Sequence, residues 1–444
     1  MPSDGRRRAT RETRRAPSLR LALRDRARTA PRRSFRVVGL FAGIGGIELG
    51  LHRSGHETTL LCELDPGARA VLAARFPDLP DHDDVRRLRA LPADTELVAA
   101  GFPCQDLSQA GMTAGISGAR SGLIGEVLRL LGHRPVPWVL LENVPFMLQL
   151  GAGRALEVII GALEQIGYRW AYRVVDSLAF GLPQRRERVF LVASLDGDPR
   201  HVLLADDAGS PEPTPPSRGL AFGFYWTEGN RGLGAAVDAV PTLKGGSTIG
   251  IPSPPGVLLP SGIVVTPRIE DAERLQGFES GWTEPAERAT RRTHRWKLVG
   301  NAVTVDVAAW LGERLASPGY YDDSWDSPLP RRGRWPLAAW NLGEGRFVGS
   351  VSTWPVRRPR PHLHEFLVDP RPLSVKATAG FWERLRKSSL RRPSWFDVGV
   401  VQHLREMKQR AAAEGRNRRR QLPQSECDVC PPGEDQIGEA VAHG

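Results

Sequence analysis

The sequence predicts an α/β fold, a doubly wound and mostly parallel sheet, followed by a small irregular β-containing domain. Three observations carry this expectation. Short apolar runs alternate with amphipathic stretches from Phe35 to about Ser194, the pattern of strands joined by crossover helices. Several of the runs end in glycine, proline or polar residues, where an open α/β sheet exposes its reactive groups. Between residues 196 and 265 the alternation stops, and Pro, Gly and short polar runs replace any long helical period.

In chain order, residues 1–34 are Arg-rich without apolar periodicity and read as a disordered basic arm. The run Val37–Phe41 predicts a strand leading through a glycine-rich turn into a helix over Ile47–Arg53. A strand over Thr58–Glu63 and a helix over Gly67–Phe76 follow, then a strand over Leu97–Gly101 and a loop punctuated by Gly111, Gly115 and Gly118. The pattern continues with a helix at Leu123–Leu131, a strand at Trp138–Glu142, a helix at Ala155–Ile166 and strands at Tyr172–Asp176 and Val189–Val192. Beyond the irregular region, Arg268–Phe278 reads as a short helix stopped by Gly277, and Val303–Leu315 as a helix. The expected division is therefore a basic arm (1–34), an α/β domain (35–195), a small irregular β-containing domain (196–293), a return to the first domain (294–317) and an extension (318–444) whose end is expected to be disordered. Within that extension Phe381–Lys387 has the pattern of a basic amphipathic helix, and Trp382, Trp395 and Phe396 are read as a small accessory core, with stacking on nucleic acid as the alternative.

The net charge is +11, but it is unevenly spread. Residues 1–34 hold twelve Arg against three acidic residues, a net +9. Residues 35–317 carry a net −4 and residues 318–444 a net +6. Attraction to a polyanion must therefore come from the two extensions or from local patches. No apolar segment is long enough to span a bilayer. The basic N-terminus lacks the apolar stretch of a secretory signal, and four cysteines in 444 residues do not make a disulfide framework. A cytoplasmic protein is expected.

Four strand ends carry groups with chemistry. Val37–Leu40 runs into Phe41-Ala42-Gly43-Ile44-Gly45-Gly46, a turn whose glycines let backbone approach a ligand closely. Leu97–Gly101 runs into Phe102-Pro103-Cys104-Gln105-Asp106-Leu107-Ser108, which presents a thiol on a proline-stiffened turn. Trp138–Leu141 ends in Glu142-Asn143-Val144, and Gln184-Arg185-Arg186-Glu187-Arg188 enters the strand at Val189. Arg186 and Arg188 are two apart and share one strand face, with Glu187 on the other.

In this order, these blocks resemble those of the DNA (cytosine-5) methyltransferase family. The likeness includes Glu63-Leu64-Asp65, Asp84-Val85, Arg120-Ser121-Gly122-Leu123, Arg268 to Phe278 and Gly300-Asn301-Ala302-Val303, and it covers about residues 35–317. The resemblance implies a class I S-adenosylmethionine-dependent methyltransferase fold with a target-recognition domain. It implies Cys104 as the nucleophile that adds to carbon 6 of a flipped cytosine, after which the methyl group is transferred to carbon 5. Glu142 would donate at ring nitrogen 3, Arg188 would hold the pyrimidine oxygen and the carboxylate, and Arg186 would support the site or a nearby phosphate. S-adenosylmethionine would lie against Phe41, Gly43, Gly45 and Gly46, with Glu63 on the ribose, Asp84 on the adenine amino group (Asp83 being the alternative) and Asn301 closing the pocket. Gln105, Ser108, Arg120 and Lys244 would contact DNA. No metal is implied. The Cys427–Cys430 pair has the spacing of a metal knuckle but no second pair of ligands, and is read as two ordinary thiols. The expected partners are double-stranded DNA and a cognate restriction or defence-system protein, with a monomeric enzyme at the nucleoid and no membrane. An RNA cytosine-5 methyltransferase and an inactive DNA-binding scaffold are the alternative readings.

The charge distribution gives one prediction. Deleting residues 1–34 is expected to weaken binding to every duplex alike and to flatten its salt dependence, because fewer counterions are released. The methylated sequence should not change, since phosphate contacts position and base contacts specify. Titrating the full chain and a Phe35-start truncation over a range of salt checks this; equal slopes would exclude a tethering role.

Overall fold

The computed structural model describes residues 32–103, 122–230, 232–245, 252–330 and 333–421, with side chains to 414. The expected arm, Cys104, Gln105, Ser108, Arg120, the glycine-punctuated loop and the Cys427–Cys430 pair lie outside these residues.

Strands β1 (Arg36–Leu40), β2 (Glu57–Cys62), β3 (Asp81–His82), β4 (Leu97–Gly101), β5 (Trp138–Asn143) and β6 (Arg169–Asp176) run in one direction. The two-residue β7 (Gln184–Arg185) leads into β8 (Glu187–Ser194), which lies antiparallel between β5 and β6. Both faces of this sheet are buried, so its strands read as near-continuous apolar runs. Alternation sorts the side chains. Val38, Val98 and Val139 face one core with the helices Leu123–His133 and Arg154–Ile166. Val37, Leu97 and Leu140 face the other with Gly46–Arg53 and Val305–Ala316.

A second, five-stranded sheet holds β9 (Phe222–Phe224), β10 (Ala236–Val237), β12 (Gly256–Leu258) and β13 (Val264–Thr266), while β11 (Val240–Pro241) pairs with β7. The short strands and frequent turns match the irregular β region expected there. Residues 199–204 depart from that expectation. They form a helical turn over Pro199–Leu203, and Val202, Leu203 and Leu204 are buried in the core of the first sheet. The helix His294–Asn301 was also not expected, because its Arg, Lys and Asn dilute its apolar period.

The segment beyond residue 317 divides between the two sheets. Strands β14 (Ser327–Pro328), β15 (Ala338–Asn341) and β16 (Arg346–Val348) extend the large sheet past β6, giving the order β14-β16-β15-β6-β8-β5-β4-β1-β2-β3. Strand β17 (Arg371–Pro372) then adds to β13, and helices Val375–Leu385 and Ser394–Gln421 follow. Phe381 and Phe396 are fully buried and pack on Phe222 and Phe224 of the small sheet. Burial of aromatic side chains of this kind stabilises by about 1.5–3 kcal/mol each. No helix of the described residues is long and apolar enough to cross a membrane.

Candidate active site

The turn after β1 is built from left-handed backbone. Phe41 (φ 55°), Gly43 (φ 57°) and Gly45 (φ 81°) all have positive φ, a conformation that favours glycine and is uncommon for phenylalanine. The turn brings the Gly43 amide to Glu63 at the end of β2: Gly43 N–H donates to Oε2 at 2.8 Å and Asp65 N–H to Oε1 at 2.7 Å. Burial pushes the Glu63 carboxyl up, and these amides oppose it. The side of Glu63 opens on a cavity of about 490 Å³ lined by Phe41, Gly43, Leu64, Asp65, Asp84, Gly101, Pro103, Lys297 and Asn301, among others.

Of the three glycines expected at a ligand, Gly43 alone lines this cavity. A Cβ on Gly45 would stand 2.5 Å from the Phe76 ring, and one on Gly46 would stand 2.6 Å from the Val303 carbonyl oxygen. Close packing against Phe76 and Val303 therefore leaves no room for a side chain at either position, and Gly45 in addition has positive φ. Asp84 lines the cavity and Asp83 does not; Asp83 instead faces His82 and Arg87. The Asp84 carboxylate is gripped by Arg86, with Nε at 2.9 Å from Oδ1 and Nη2 at 2.7 Å from Oδ2, which holds its pKa below the usual carboxylate value.

At the adjoining strand ends, Glu142 on β5 stands in register with Gly101 on β4 and Phe190 on β8. Its side chain is 9% exposed, and Oε1 lies 3.1 Å from Arg188 Nε. Gly101 makes room for it, since a Cβ there would come to 3.3 Å of Glu142 Oε2. Burial raises the Glu142 pKa; the charges of Arg188 and Arg186 work against that shift. Next along β5, Asn143 Nδ2 donates to the Phe102 carbonyl at 2.9 Å, and its Oδ1 accepts from the Val144 amide at 2.8 Å. The amide thereby anchors the backbone two residues before Cys104, a role that sequence reading did not assign to it.

Arg186 has no exposed surface. Its Nη2 donates to the carbonyls of Ala302 (2.6 Å) and Gly300 (3.2 Å), and Nη1 to that of Leu243 (3.3 Å). It ties the carbonyls of Gly300, Ala302 and Leu243 to the turn between β7 and β8. Gln184 accepts from the Leu243 amide and donates to Gln276 and the Leu275 carbonyl, and Gln276 in turn donates to the Val299 carbonyl. Arg186 Nε finds no partner among the described residues, so this buried network is paired at every group but that one. Lys244 is half-exposed, ion-paired with Glu228, and its Nζ lies 3.7 Å from the Tyr225 ring centre. Asn301 is exposed at the cavity, and a Cβ on Gly245 would lie 3.0 Å from its Oδ1.

Two further residues were missed. Asp65 caps the helix Pro66–Arg75 through the amides of Gly67 and Ala68, and accepts from His294 Nε2 (2.9 Å) and Lys297 Nζ (3.2 Å). Burial opposes ionisation there, yet the His294, Ala68 and Lys297 contacts hold its pKa below the usual value. Glu48 is fully buried under Gly39, with Oε2 unpartnered among the described residues, and burial pushes its carboxyl up to about 8. The signal for Glu48 was a carboxylate on the apolar face of its helix.

Comparison with known proteins agrees with this geometry. Residues 35–216 match the model for C-5 cytosine-specific DNA methylase. The chain is 47% identical over 363 residues to Type II methyltransferase M2.BsuMI of Bacillus subtilis (strain 168), an alignment that spans 79% of this chain and 92% of that protein. It is 27% identical over 321 residues to Type II methyltransferase M.DsaV of Dactylococcopsis salina, spanning 64% of this chain and 87% of that one. The solved S. pombe Dnmt2 methyltransferase overlays with a TM-score of 0.45 at 17% identity, over 63% of this chain and 98% of that one. With nearly the whole of a relative covered at close to half identity, the chain belongs to the C-5 cytosine-specific DNA methylase family.

Proposed function

We propose that this protein methylates carbon 5 of cytosine in double-stranded DNA, using S-adenosylmethionine, within a bacterial restriction-modification or defence system. The observation that carries the reading is the buried Glu142–Arg188 pair beside the cavity of about 490 Å³, at the strand end that leads to Cys104.

The cavity suits the cofactor by its donor set. Phe41 offers an apolar face, the Glu63 carboxylate suits ribose hydroxyls, Asp84 an exocyclic amine, and Asn301 lies at the rim. Bound there, S-adenosylmethionine supplies an electrophilic methyl group. The chain's own residues do the rest. Carbon 5 of cytosine is too weak a nucleophile until a thiolate adds at carbon 6, so Cys104 attacks that carbon. Electron density then builds on the ring. Burial raises the Glu142 pKa and so favours the acid form, which would donate at ring nitrogen 3. Arg188, whose Nε lies 3.1 Å from Glu142 Oε1, would hold the ring oxygen and that carboxyl in place. A base inside a duplex cannot reach these groups, so the cytosine must be flipped out. Gln105, Ser108 and Arg120 belong to the stretch that would close around it, and Lys244 would contact the backbone. Once carbon 5 carries the methyl group, its proton would pass to water, the carbon 6–sulfur bond would break to release the Cys104 thiolate, and ring nitrogen 3 would return its proton to Glu142.

DNA carrying 5-fluorocytosine at the target should form a denaturation-resistant adduct with the enzyme and S-adenosylmethionine, because elimination at carbon 5 is blocked. Bisulfite sequencing of DNA from a host expressing the protein locates the target. An enzyme active on normal DNA that traps no adduct would overturn the covalent route, and unmethylated host DNA would overturn the activity.

A further inference from the structure

The last described helix, Ser394–Gln421, changes character along its length. Its first half is a covering element. Phe396, Val400 and His403 are buried on one face, and Gly399 lies against Leu258 of β12, where a Cβ would come to 2.8 Å. His403 Nε2 bonds the Leu373 carbonyl at 2.9 Å. From Lys408 to Glu414 every residue is exposed. Arg410 lies along the same helical face as Phe396, Val400 and His403, so its exposure shows that the helix has run past the edge of the small sheet. At 1.5 Å per residue, residues 408–421 extend by about 21 Å.

A helix that is polar all round and touches nothing is marginal in water. Residues 405–421 hold seven basic and two acidic residues, a net +5, against −4 for residues 35–317. Among the described residues Arg405, Lys408 and Arg410 enter no ion pair. The helix thus carries unneutralised positive charge away from the body, on the element that covers the recognition sheet. We infer that this projecting half-helix binds the phosphate backbone of the DNA duplex flanking the target site. The inference rests on the proposed DNA substrate. It assigns the end of the chain a positioning role distinct from base reading.

The test is the variant Arg405→Gln/Lys408→Gln/Arg410→Gln in the full chain, with the N-terminal arm kept. All three side chains are exposed, so the melting temperature should not move; the corresponding all-lysine variant serves as the charge-retaining control. Binding is measured over a range of salt to a short duplex that holds only the target and to one extended by two turns on each side. Each lost phosphate contact lowers the slope of log affinity against log salt by about 0.9. The glutamine variant should therefore lose about 2–3 from the slope on the long duplex, change little on the short one, and methylate the same sequence. The lysine variant should behave as wild type. Equal slopes for the glutamine variant and wild type on the long duplex would overturn the inference and leave the enzymatic reading intact. A wild-type protein that binds and methylates no duplex would overturn both.

Discussion

Cys104→Ser is expected to lose methyl transfer by at least about 10⁴-fold, the scale on which removing a covalent nucleophile is felt. A hydroxyl at this position is a far weaker nucleophile than a thiolate. The cavity that would hold the cofactor is lined by Phe41, Glu63, Asp84 and Asn301, none of which the substitution touches. Affinity for S-adenosylmethionine by titration calorimetry should therefore stay within about twofold of wild type, a flat response on the scale where 1.4 kcal/mol is tenfold. Tritium transfer from labelled cofactor to DNA measures the loss. A serine variant turning over near the wild-type rate would remove Cys104 from the chemistry.

Glu142→Gln should lower turnover by about 10²–10⁴-fold, the usual worth of a positioned general acid. Glutamine keeps the shape and can still donate a hydrogen bond, but it cannot transfer a proton. The wild-type carboxyl has its pKa raised by burial, against the pull of Arg188 and Arg186. The sign follows: the acid form is present below the raised pKa and is lost as pH rises through it. Single-turnover rates of the wild type should therefore fall on the alkaline side, and the glutamine variant should lack that limb. A variant within a few-fold of wild type would mean that hydrogen bonding alone suffices at nitrogen 3.

Much of the fold and of the candidate site was legible because the signals are local. The strands β1, β4 and β5 are apolar runs bounded by turn residues, and β4 lies at Leu97–Gly101 as expected. The thiol block, Glu142, Arg188 and the Phe41–Gly46 turn are contiguous motifs whose order points to one family. Less legible were residues whose meaning depends on a partner far along the chain. Arg186 reads only as a support for the site or a phosphate, and nothing local shows that it ends on carbonyls near residues 243 and 300–302. Gly45 and Gly46 look like Gly43, but their neighbours are Phe76 and Val303.

From its sequence alone the chain thus determined its class and the alternation of strands and helices that builds the large sheet, since these rest on periodicity and short-range chemistry. Tertiary structure decided which groups share a site. Asn143 became an anchor for Phe102, Asp65 a junction for His294 and Lys297, and the segment after residue 317 an extension of two sheets. The reason is physical. Strand pairing at an edge needs only a few residues: β17 is two residues long and β16 three. Such strands carry too little alternation to be read in one dimension, and β17 finds its partner β13 more than a hundred positions away.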